Sequence, residues 1–124
     1  MKLRQISGLI QQKQKSAPTI SLNFLNGRIY FNESTKHILD LKEGDRLVFY
    51  QDEDNLKGWY FMKSKIEGSI ELRILNKALV AFNGSIARAI LHSVSMDATS
   101  AFFIAEERVE GKYWKILTDR VIKP

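Results

Sequence analysis

The chain repeats itself. Residues 20–63 open with Ile20, Leu22, Phe24, Leu25 and Asn26, and fifty positions on, residues 70–118 open with Ile70, Leu72, Ile74, Leu75 and Asn76. The register then slips in one direction. Phe31, Asn32 and Ser34 match Phe82, Asn83 and Ser85 at fifty-one, and Ile38, Leu39 and Asp45 match Ile90, Leu91 and Asp97 at fifty-two. Phe49 and Gly58 match Phe102 and Gly111 at fifty-three. Chance matches scatter, whereas duplication followed by small loop insertions drifts in this way. Each copy has only about 45 residues, too few for a comfortable core of its own. The repeat therefore predicts two copies that share one core as a pseudo-two-fold object. An interleaved barrel and two lobes packed side by side both fit the pattern.

Local signals give each copy the order strand, strand, helix, strand, strand. Residues 19–25 alternate apolar and polar side chains, then Asn26-Gly27 leads into Arg28, Ile29, Tyr30 and Phe31. Asn-Gly between such runs predicts a tight type I′ hairpin, because both central residues of that turn need positive φ. Asn76-Lys77 holds the same place in the second copy, where the second residue is less suited to the turn. Asn32 or Ser34 can cap a helix over 33–40, and Asn83 or Ser85 one over 86–93. Residues 46–51 and 99–105 read as strands, 52–57 and 106–110 as acidic turns, and 58–63 and 112–117 as return strands. The expected organisation is a basic, flexible arm over 1–18, a first repeat over 19–66 and a second over 67–124. Within the arm, Leu3, Ile6 and Ile10 allow a short amphipathic helix, while Gly8 and the polar composition equally fit a disordered tail.

Charge matters here by its position. The formal net charge is +5. Lys2, Arg4, Lys13 and Lys15 place four positive charges before residue 20 with no acid among them. From Ile20 onward, 15 basic residues face 14 acidic ones, so the repeats are almost neutral. With no cysteine, disulfides, thiolate catalysis and cysteine-ligated zinc are excluded. The longest apolar runs, 78–82 and 101–105, fall far short of the ~20 residues that span a bilayer. The N-terminal stretch lacks the apolar core of a secretory signal, and a cytoplasmic protein without membrane association is expected.

No phosphate-cradling glycine loop, nucleophile elbow or paired-carboxylate signature occurs, so the expectation is a non-enzyme without cofactor or metal. His37 and His92 lack a second ligand at metal-binding spacing. Asp45 and Asp97 fit turns entering strands, with a carboxylate capping backbone amides. The aromatic residues sit in strands and read as core and cross-strand pairs, with Tyr30 and Trp59 the first to examine for exposure.

Residues 26–54, NGRIYFNESTKHILDLKEGDRLVFYQDED, carry a family resemblance. Gly27-Arg28-Ile29 turns into a strand, a short helix intervenes, and Leu39-x-Leu41-Lys42-x-Gly44-Asp45 leads into an alternating strand with an acidic end. This order resembles the AbrB-type swapped-hairpin regulators, the group that includes MazE-like antitoxins and MraZ. The resemblance implies a mainly β fold with two short helices: duplicated ββαββ repeats forming a pseudo-two-fold double-split β-barrel. Family members usually build it from two chains, and here one chain carries both halves, as a monomeric pseudo-dimer or a homodimer of such units.

The resemblance also implies a DNA-binding protein, a transcriptional regulator or antitoxin-like factor. Arg28 sits at the family's Gly-Arg position, and Lys77 precedes Ala78, its counterpart in the second copy. Lys36 aligns with Arg88, one basic helix residue per copy, and Lys13 and Lys15 of the arm add phosphate contacts. Where the family often opens its helix with Ile-Pro and basic residues, this chain has Phe31-Asn32-Glu33-Ser34-Thr35-Lys36. The competing expectation is a non-catalytic protein-interaction or structural module that keeps the fold without binding double-stranded DNA.

Overall fold

The computed structural model describes residues 17–122. They form β1 (Thr19–Leu22), β2 (Arg28–Phe31), α1 (Glu33–Ile38), β3 (Arg46–Asp52) and β4 (Asn55–Lys63). The chain continues through β5 (Ile70–Glu71), β6 (Arg73–Leu75), β7 (Ala78–Phe82), α2 (Gly84–Ser93), β8 (Ser100–Ile104) and β9 (Trp114–Ile122). Every strand pairing is antiparallel, in the order β5-β3-β4-β9-β8-β1-β2-β7-β6. The two end strands are consecutive in the chain and only Leu72 separates them. Its N–H donates to the Asp45 carbonyl at 2.8 Å, and its carbonyl accepts the Gly44 N–H at 2.9 Å. Residues 70–75 thus pair first with β3 and then with β7, which curls the sheet into a nearly closed barrel.

Alternation decides what lies inside. Ile20 and Leu22 of β1, with Ile29 and Phe31 of β2, are buried, while the residues between them face outward. Leu47, Leu79, Phe102 and Ile116 from the other strands, and Leu72 from between β5 and β6, complete the interior. Phe61 stands at its centre, with ring centroids 5.8 Å from Phe31, 5.3 Å from Phe49 and 5.5 Å from Trp114. Each such side chain removed from water contributes about 1.5–3 kcal/mol, so truncation of Phe61 opens the middle of the molecule.

Both helices begin at an asparagine. Asn32 Oδ1 accepts the Thr35 N–H at 3.0 Å, and Asn83 Oδ1 accepts the Ile86 N–H at 2.9 Å. α1 stops after six residues, with Asp40 turning into the left-handed region at φ 54°. α2 starts two residues earlier than the capping pattern predicts and buries Ala87, Ile90 and Leu91 against the barrel. Trp59 lies beneath it, its Nε1 donating to Ser93 Oγ at 2.8 Å. The indole is a core residue rather than a surface one.

The hairpins correct the turn chemistry. The tight turn belongs to Asn76 and Lys77, with φ of 50° and 68° between the paired residues Leu75 and Ala78. The first hairpin is wider. Its loop spans 24–27, closed by the Gly27 N–H to the Asn23 carbonyl at 3.0 Å, and of Asn26 and Gly27 only the glycine has positive φ. The cause is local: Asn23 Oδ1 accepts the Leu25 and Asn26 N–H groups, and Asn26 Oδ1 accepts that of Arg28. These bonds hold a longer loop in place of the two-residue turn. As expected, Asp45 caps its turn, its Oδ2 accepting the Lys42 N–H at 3.0 Å. β9 runs on to Ile122, past the expected end at 117, with Thr118 Oγ1 donating to the Lys57 carbonyl. No helix among the described residues is long and apolar enough to cross a membrane.

Candidate nucleic-acid interface

Strand parity decides which face each basic residue reaches. On β2, Ile29 and Phe31 point inward, so Arg28 and Tyr30 point out. Tyr30 pairs with Ser21 on one side and Val80 on the other, and Val80 pairs in turn with Arg73. Ser21, Tyr30, Val80 and Arg73 therefore share one row across β1, β2, β7 and β6, in which Val80 is fully buried. Arg28 pairs with Phe82 in the neighbouring row.

The Arg28 guanidinium is half-buried beside the Tyr30 ring, 5.8 Å from its centroid. It borders a cleft of about 260 Å³ lined by Ser21, Asn23, Tyr30 and Thr99. This lining contains hydroxyls, an amide and one cation, with no acid. Among the described residues, Arg28 Nε is the buried side-chain nitrogen without a hydrogen-bond partner. A guanidinium seated against a ring and flanked by small donors is suited to an oxyanion.

The other expected site residues divide between the two ends of the β2–β7 pair. Arg88 lies at the Arg28 end, but its Nη1 donates to the Phe24 carbonyl at 3.1 Å. Its side chain folds back over the start of α2, where a Cβ on Gly84 would stand 2.2 Å from Nη2. Arg88 thus ties the first hairpin loop to α2 and is half-buried rather than presented to solvent. Lys77 sits at the exposed turn before β7, five residues from Phe82 and so about 17 Å from the Arg28 row. Lys36 is on α1 near that second end, with Nζ 3.4 Å from Glu33 Oε2. His37 shares the same glutamate at 3.3 Å. Lys13 and Lys15 lie outside the described residues.

Asn32 and Asn83 are the matching caps, so the residue of α2 in the place of Lys36 is Ala87, not Arg88. Residue matching at fifty-two missed this by one position because the loop insertion lies beyond the helix start. Sequence reasoning also missed Arg73, whose side chain is 70% exposed and 3.6 Å from Glu71. The parity of β6 against Tyr30 would have found it once the strand was assigned. Among the described residues no cluster of three or more His, Asp or Glu is placed to hold a metal ion. Neither a family model, nor a curated protein, nor a solved structure matches this chain.

Proposed function

We propose that this chain is an internally duplicated, AbrB-type DNA-binding protein, a transcriptional regulator or antitoxin-like factor acting in the cytoplasm. In this reading the Arg28 cleft takes a backbone phosphate of duplex DNA. The duplication is supported by the strand ladders. Exchange β1, β2, β3 and β4 with the 70–75 run, β7, β8 and β9, and the set of pairings returns to itself. Registers follow: Ile20 opposite Phe102 corresponds to Ile70 opposite Leu47, and Phe49 opposite Phe61 to Ile104 opposite Ile116. The ladder offset for the later strands is thus fifty-five. That brings Asp45 onto Ser100 and Phe49 onto Ile104, where residue matching at fifty-two and fifty-three chose Asp97 and Phe102, and it sets Trp59 onto Trp114.

The observation that carries the functional reading is the Arg28 cleft itself, a guanidinium among hydroxyls with no acid in the lining. Arg73, exposed one row away, and Lys77 at the turn extend the positive contribution along the same hairpins. Held against Tyr30, Arg28 is better placed to clamp a phosphate than to reach a base edge, so affinity rather than sequence reading is its role. Lys13 and Lys15 supply further phosphate contacts from the arm.

Duplex binding measured by fluorescence anisotropy across a salt series tests this. Affinity falls steeply as salt rises, drops roughly tenfold for Arg28→Ala with the fold intact by circular dichroism, and loses salt slope when residues 1–17 are removed. Absence of binding at about 50 mM salt would overturn it. A protein-interaction module is the second reading, and one observation favours it: Phe82, paired with Arg28, is 52% exposed. No duplex binding by the intact chain, together with protein association that Phe82→Ser abolishes and Arg28→Ala leaves unchanged, would select that reading.

A further inference from the structure

A second cleft lies on the other side of the barrel and has the opposite chemistry. Tyr50 of β3 and Tyr60 of β4 are directly paired and face outward. The connection between β8 and β9 folds over them. Its residues 109–113 close a tight turn, with the Val109 N–H to the Tyr113 carbonyl at 2.7 Å and the Tyr113 N–H to the Val109 carbonyl at 3.0 Å. Glu110 and Gly111 both take positive φ, 53° and 66°, to make it. The turn sets Tyr113 edge-on to both rings, at 5.4 Å and 77° from Tyr50 and at 6.5 Å and 70° from Tyr60. Asp52 and Glu110 complete a cleft of about 320 Å³.

Three rings meeting at steep angles beside two carboxylates form a partial cage with a negative interior. Ring faces attract cations through their quadrupole, and the carboxylates add a net field of the same sense. Among the described residues, no basic side chain lines the cleft. The cation–π contacts among the described residues are Arg28 on Tyr30 and Arg108 on Trp114. Their ion pairs involve neither Asp52 nor Glu110. Lys115 pairs with Tyr60 on the same face but does not line the cleft.

We propose that the Tyr50, Tyr60 and Tyr113 cleft is a binding site for an organic cation, an alkylammonium or guanidinium group such as a basic peptide carries. This site is separate from the Arg28 cleft and does not depend on DNA binding. Two sources share this chemistry: a basic peptide from another protein, and the basic residues 1–16 of a chain like this one.

The test uses the full chain and NMR titration with choline, with 3,3-dimethylbutan-1-ol as its uncharged isostere. Choline is expected to shift the resonances of Tyr50, Tyr60, Glu110 and Tyr113, and the isostere to leave them in place. Glu110→Gln, at an exposed turn position, is expected to weaken choline binding about threefold, and Tyr113→Leu about fivefold or more. Both variants must keep the dispersed spectrum of the folded barrel. A synthetic peptide of residues 1–16 that competes with choline assigns the source to the chain itself, and one that does not assigns it to another protein. Equal shifts from the isostere, or none from choline at millimolar concentration, would overturn the proposal.

Discussion

The two helices cap the same barrel and are seated by different physics. α1 is held by polar contacts. Thr35 is fully buried, and its hydroxyl accepts the Thr19 N–H at 2.9 Å while sharing its one proton between Asn32 Oδ1 at 2.6 Å and the Thr19 carbonyl at 3.1 Å. Asn32 Nδ2 adds a bond to the Ala17 carbonyl at 2.8 Å. In α2 the residue in the place of Thr35 is Ile86, and the helix start rests on bare backbone. Asn83 N–H donates to the Gly27 carbonyl at 3.0 Å, so the first hairpin loop lies directly on Gly84. A network that satisfies every partner is specific and brittle, whereas a close backbone approach depends most on the glycines that permit it, with Asn83 and Arg88 adding one side-chain bond each.

The sharpest way to break this contrast is Gly27→Ala. An added Cβ would stand 2.5 Å from Gly84 Cα at φ +74°, and the three atoms nearest to it are all backbone, which cannot swing aside. Strain and overpacking together cost roughly 3 kcal/mol, a large share of a small domain's stability. Urea unfolding should give that loss, with α2 amides exchanging before those of α1.

Next comes Thr35→Val, which keeps the shape and removes the hydroxyl. It leaves the Thr19 N–H with Asn32 Oδ1 as its remaining acceptor and takes the hydroxyl proton from Asn32 Oδ1 and the Thr19 carbonyl, and it is expected to cost about 2 kcal/mol, whereas Ile86→Val costs about 1. Equal losses at the two positions would erase the distinction between the seats. The capping pair gives a finer reading. Asn83→Ala should cost about 1 kcal/mol, and Asn32→Ala nearer 2, because only Asn32 also bonds Ala17 and Thr19. The smallest expected effect on stability is that of Arg28→Ala, below about 0.5 kcal/mol, because its Nε has no bond to lose. A thermal melt unchanged beside a fall in DNA affinity would separate the role of Arg28 from that of the neighbouring Gly27.

Much of this architecture is legible in the residues. Period-two alternation locates β1, β2, β3 and β8, and an asparagine before each apolar face locates the helices, because both signals are local. The turns were harder. Asn26-Gly27 carries the strongest hairpin signal in the chain, yet Asn23 outcompetes it with two side-chain bonds, while Asn76-Lys77 makes the tight turn despite a lysine at positive φ. A turn residue's preference is weaker than the register imposed by the strands on either side. Of the site, Arg28 was visible from the turn that precedes it. The fate of Arg88 was not, since its partner is a carbonyl 64 residues away. The tyrosine cleft was likewise hidden, because Tyr50, Tyr60 and Tyr113 meet only after β3, β4 and the β8–β9 connection are in place.

The strand shared at Leu72 bears on how these molecules behave when crowded. A sheet edge is a template on which another chain can add a strand, and long flat edges start aggregates. Here the two strands at the ends of the sheet are two and three residues long, and each is already committed to a neighbour on its other side. An incoming strand would find too few consecutive free amides there to form a ladder. Substituting proline at Leu72 would remove the N–H that Asp45 accepts and pry that seam open, turning a protected barrel into one with edges to offer.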